Sequence, residues 1–115
     1  MPSQDDLSAL QKLFYKLYTS LKDAYWAAST VESKDLIHGA EDLVNQVLDT
    51  LDREDLESDN TAMADLTRTL KDSIKDLNDL QKKLNVIVHN VAIANTAIQA
   101  INDALTAAAK IADAA

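Results

Sequence analysis

The sequence predicts an all-α fold, an antiparallel up-down helical bundle of two shorter helices and one long C-terminal helix. Three observations predict it. The 115 residues include one Gly and one Pro, and residues of high helix propensity dominate. Apolar and polar residues never alternate over a useful length, as a half-buried strand would require. From Met63 to Ala115 the apolar residues recur three and four apart without a break, which places them on one side of a helix. A single domain spanning residues 1–115 is expected, long enough for a modest core.

The first helix is expected from about Ser3 to Ala28, with the seam Leu7, Leu10, Phe14, Leu17, Leu21, Ala24 and Ala28. Ser3 is its expected N-cap, and Asp5 and Asp6 fall in the first turn, where the helix dipole favours acids. All five aromatic residues lie on this helix: Phe14, Tyr15, Tyr18, Tyr25 and Trp26. Phe14 is in the seam, and Tyr18 and Tyr25 flank it. Tyr15 and Trp26 do not fit the seam and share an outward stripe with Lys22. Trp and Tyr are common interface anchors, so Tyr15, Lys22 and Trp26 are candidate contact residues. The competing reading packs Trp26 over the end of the bundle, at a turn near Ser29.

Ser29 and Glu32 have capping-box spacing, which starts the second helix there and carries it to about Leu51. Its apolar residues come in adjacent pairs, Leu36 and Ile37, Leu43 and Val44, Val47 and Leu48, as in a helix wedged between two others. Gly39 lies mid-helix at a cost of about 1 kcal/mol relative to Ala. Close packing beside Ala40 is the expected compensation. The acidic stretch Asp52–Asn60 follows as a turn, with Ser58, Asp59 or Asn60 capping the next helix.

The long helix is expected from about Asn60 to the end, roughly 80 Å at about 1.5 Å per residue. Its core series are Met63, Leu70, Leu77, Leu84, Val91, Ile98, Leu105, Ala112 and Leu66, Ser73, Leu80, Ile87, Ala94, Ile101, Ala108, Ala115. The first half has a narrow seam, with Asp65, Asp72 and Asp79 spaced three residues before Arg68, Lys75 and Lys82. The second half is apolar around most of its circumference, as in helices covered on several sides. The alternative is a four-helix bundle with a break near Asn85, favoured by the β-branched run Val86, Ile87, Val88 and opposed by the unbroken heptad phase. A continuous helix would carry residues 86–115 beyond the hairpin of the first two. Covering that exposed stripe with a second copy makes a homodimer or other homo-oligomer the expectation, with Val88, Val91, Ile98, Ile101 and Leu105 as contact residues.

Charge and composition exclude several functions. Of the net charge of −8, residues 1–59 carry −8, residues 60–85 carry +1 and residues 86–115 carry −1. Nucleic-acid binding needs a basic footprint and is not expected. A basic protein partner for the acidic half is. There is no Cys, hence no thiol chemistry or Cys-based metal site. His38 follows Asp35 at the spacing of one arm of a di-metal bundle, but a second arm is missing. Phosphorelay at an exposed His38 lacks a Lys shortly after the His, and the acidic stretch lacks the Gly and ligand spacing of a calcium loop. No Gly-rich phosphate loop or nucleophile–base pairing stands out. No enzyme activity, cofactor or metal is expected. The start lacks a basic segment followed by an apolar one, and no apolar run reaches transmembrane length. A cytoplasmic location is the expectation. The functional expectation is a non-enzymatic helical interaction module: a scaffold, adaptor, chaperone or inhibitor. A second reading makes residues 86–115 a coat for lipid or another hydrophobic surface. It ranks lower because interfacial helices are usually richer in Lys, Arg and bulky apolar residues.

Overall fold

The computed structural model describes residues 4–52 and 60–114. Among these, four helices follow in order: α1 (Gln4–Ala27), α2 (Val31–Leu51), α3 (Asn60–Ile87) and α4 (Val91–Ala114). Each helix packs on two neighbours, in the ring α1–α2–α3–α4 and back to α1. This is the up-down-up-down arrangement that short connections favour. The bundle measures 44 × 20 × 20 Å.

The core follows from the apolar stripes. α1 buries Leu10, Phe14, Leu17 and Leu21, α2 buries Ile37, Val44 and Val47, and α3 buries Leu66, Leu70, Leu77 and Leu84. Each such side chain contributes about 1.5–3 kcal/mol on leaving water. Ser73, the polar member of the α3 seam, is buried too, and its hydroxyl donates to the Leu70 carbonyl at 3.0 Å. On α3's surface Arg68 Nη2 lies 2.7 Å from Asp65 Oδ1. α4 brings mostly small residues: Ala94, Ala97, Ala100, Ala104 and Ala108, with Ile101 and Ile111. Small side chains at a helix contact allow close approach.

The continuous C-terminal helix is not present. An 80 Å rod would exceed the longest dimension of 44 Å. The chain reverses at Val88–Asn90, three residues beyond Asn85, so the four-helix alternative describes the architecture. Two local features end the helix there. Val86, Ile87 and Val88 are β-branched and weaken it. Asn90 then caps α4, its side-chain oxygen accepting from the Ile93 amide at 3.1 Å. Of the two heptad series, Ala94, Ile101 and Ala108 keep their phase past the turn, while the other slips back by one residue, from Ile98 and Leu105 to Ala97 and Ala104. Beyond the turn the buried residues are Ala94, Ala97, Ala100, Ile101, Ala104, Ala108, Ile111 and Ala112, whereas Val91 is exposed and Ile98 and Leu105 are half-buried. α4 is apolar enough on both flanks to fit two registers one residue apart, and the sequence pattern followed the wrong one.

The first turn also differs in detail. Thr30, not Ser29, is the N-cap of α2: its backbone is extended, and its hydroxyl accepts from the Ser33 amide at 3.1 Å. Ser29 instead ties the two turns together, its amide and hydroxyl donating to the Ile87 carbonyl at 3.2 and 3.3 Å. An isolated antiparallel bridge joins Ala28 to Val88. Both reversals therefore lie at one end of the bundle and hold each other. The expected caps at Ser3, Ser58 and Asp59 lie outside the described residues.

Candidate interaction surface

The end formed by these two turns carries the most exposed apolar side chains described. Trp26 is 78% exposed, Val86 73%, Val31 71% and Val91 70%. Val31 opens α2, Val91 opens α4, and Trp26 and Val86 lie within the last two residues of α1 and α3. Trp26 does not pack over the end of the bundle. Its indole meets the Tyr25 ring edge-on, with centroids 5.3 Å apart. Lys34 completes the group from α2: its ammonium sits 4.9 Å from the Tyr25 ring centre and 5.6 Å from that of Trp26. The same ammonium donates to the Tyr25 carbonyl at 2.9 Å. α1 has no basic residue in its last turn, so Lys34 supplies the positive charge its C-terminus favours. Cation–π contacts of this kind are worth about 0.5–1 kcal/mol at exposed sites.

The outward stripe on α1 divides into two neighbourhoods. Tyr15 is half-exposed and faces the far end of α2, where its hydroxyl donates to Asp52 Oδ2 at 3.4 Å and Gln11 bonds the other carboxylate oxygen. The Asp52 charge, helped by slight desolvation, pushes the Tyr15 hydroxyl pKa up. Lys22 lies over the Tyr18 ring at 5.0 Å. It is thus Lys34, not Lys22, that accompanies Trp26. Sequence spacing cannot reveal this partnership, because the two residues belong to different helices.

Of the other expected contact residues, only Val91 is open to solvent. Val88 and Ile101 lie inside the core, and Ile98 and Leu105 are half-buried against it. Their assignment rested on the continuous helix. With α4 folded back on α1 and α3, the face that called for a second copy is covered by this chain itself.

Between α1 and α2 lies a buried acid. Glu41 is buried, and its Oε1 has no hydrogen-bond partner. Burial pushes its pKa up, the charges of His38 and Lys22 pull it down, and Asp42 adds to the rise. His38 itself is exposed, its Nδ1 3.6 Å from Asp42 Oδ2. Among the described residues no group of three or more His, Cys, Asp or Glu is placed to hold a metal ion. Nor is any described helix long and apolar enough to cross a membrane.

The opposite face of α2 is open. A groove of about 420 Å³ runs between α2 and α3, lined by Asp35, Leu36, Gly39, Ala40 and Leu43 on one side and Asp76, Asp79, Leu80 and Lys83 on the other. Leu36 is half-exposed. Gly39 is not closely packed: a Cβ placed there would meet nothing within 4 Å. The packing expected to offset this glycine is absent.

Fold and surface together describe a four-helix bundle with an apolar end and an open groove between α2 and α3. Compared with known proteins, the chain matches no family model, no curated protein sequence and no solved structure.

Proposed function

We propose that the chain is a non-catalytic interaction module that associates with a second copy of itself through the end bearing Trp26, Val31, Val86 and Val91. The observation that carries this is the placement of four large apolar side chains, each at least 70% exposed, around the same pair of turns. Apolar surface left in water costs about 25 cal/mol per Å², and concentrated exposure of this kind commonly marks an interface. The end is suited to a two-fold contact, in which the same patch meets itself. A Trp flanked by Tyr and Lys is the composition of an anchor residue. This replaces the pairing of C-terminal helices expected from the sequence. The lipid-coat reading is left without its face, since α4 turns its apolar side into the core.

Trp26 is the sole tryptophan, so its fluorescence reports on this end alone. On concentration, its emission is expected to shift to the blue as the indole leaves water. Emission that stays that of a solvated indole from dilute to concentrated protein refutes self-association through this end.

A further inference from the structure

We infer that the α2–α3 groove is a docking site for a basic amphipathic helix of another protein, a surface distinct from the apolar end and independent of the association proposed there. Its floor and walls are aliphatic: Leu36, Ala40 and Leu43 from α2, Leu80 from α3. Its rim carries three carboxylates, Asp35, Asp76 and Asp79, against one ammonium, Lys83. An aliphatic trough edged by acids complements a Lys or Arg side chain, whose stem is apolar and whose head is cationic. The volume of about 420 Å³ has room for more than one such side chain. Helix-in-groove recognition reads anchors spaced along one helical face in this way.

Gly39 gives the groove its second argument. Glycine in a helix interior costs about 0.8–1.0 kcal/mol relative to Ala. A fold normally recovers that cost through a positive φ or a close backbone approach. Gly39 has neither: no positive-φ glycine occurs among the described residues, and the space above it is empty. What the missing side chain does leave is an unobstructed groove wall. The wall is kept open at the expense of helix stability, which is the expected arrangement where something else must fit.

The test uses the full chain and a fluorescent synthetic helix with Leu and Ala on one face and Lys on the others. Its counterpart carries Glu in place of Lys. Binding is followed by anisotropy and mapped by amide chemical shifts. The Lys peptide is expected to bind, the Glu peptide not, and the largest shifts to fall on Asp35, Gly39, Leu43, Asp76 and Lys83. Gly39→Leu places a side chain in the groove and is expected to weaken binding about tenfold, on the scale of losing one anchor contact. Gly39→Ala, which intrudes less, is expected to weaken it far less, and Trp26→Ala to leave it unchanged. Equal binding by Gly39→Leu and wild type, or shifts spread over all acidic surfaces, overturns the assignment. Gly39→Leu must melt no lower than wild type. If it melts lower, the triple variant Asp35→Asn, Asp76→Asn, Asp79→Asn decides: loss of binding supports the groove, retention overturns it.

Discussion

Gly39→Ala should make the protein more stable, and the magnitude can be worked from its surroundings. The residue lies in the middle of α2, eight positions from Val31 and twelve from Leu51 by the helix bounds. Its backbone is helical, so Ala adopts it without strain. No atom lies within 4 Å of the added Cβ, so no overpacking opposes the gain. The intrinsic preference for Ala over Gly, about 0.8–1.0 kcal/mol, should therefore appear almost in full. Much of it arises in the unfolded chain, which loses conformational freedom when Gly is replaced. For a chain of this size, about 1 kcal/mol corresponds to a rise in melting temperature of roughly 4 °C. Urea unfolding gives the free energy directly, and an unchanged m-value verifies that the unfolded state remains comparable. A neutral or destabilising result would show that Gly39 does serve the fold. The argument that its cost is accepted for the sake of the groove would then fail.

Three further outcomes follow from other sites. Asn90→Ala removes the cap of α4 and should cost about 1 kcal/mol, read from chemical denaturation. No loss would mean that the reversal at Val88–Asn90 is held by the Ser29–Ile87 bonds alone. Phe14→Ala opens a cavity among fully buried neighbours and should cost about 3–5 kcal/mol; a loss below 1 kcal/mol would contradict the described core. Glu41→Gln should raise stability at neutral pH by about 1 kcal/mol, since a buried carboxylate with one oxygen left without a hydrogen bond is replaced by a neutral amide. Because the folded-state pKa of Glu41 lies above its ordinary 4.5, the folded chain binds this proton more tightly than the unfolded chain. Its contribution is thus fully present below pH 4.5 and lost as pH rises through the folded pKa. The advantage of the Gln variant should shrink on acidification, and an advantage that grows instead would refute the burial argument.

The parts of this fold legible in the sequence are those set by local periodicity. Leu7 through Ala24 and Met63 through Leu84 read correctly as buried seams because three- and four-residue spacing defines one helical face regardless of partners. The break after Ile87 was less legible. It carries no Gly or Pro, and the wide apolar face of α4 masked the one-residue slip from Ile98 and Leu105 to Ala97 and Ala104. A continuous helix would place Val88 and Ile101 on an exposed stripe that calls for a second copy, whereas the break puts both in the core. Trp26 was legible as an outward aromatic, because a seam position would have required a shift of two residues. Its neighbours Val31 and Val86 were not legible as part of the same end, since only the closure of both turns brings them there. Gly39 was visible as an anomaly, yet its meaning depends on the empty space beside it, which no spacing rule encodes.

Solution mass by light scattering, measured on wild type and Trp26→Ala across a wide dilution series, bears most directly on the proposed function. Trp26 is largely exposed, with its ring against Tyr25 and Lys34, so its truncation should cost no more than about 1 kcal/mol of stability. Wild type is expected to rise from monomer to dimer with concentration, while Trp26→Ala stays monomeric with a nearly unchanged melting temperature. A wild-type chain that remains a monomer throughout, or a variant that dimerises equally well, would contradict association through this end.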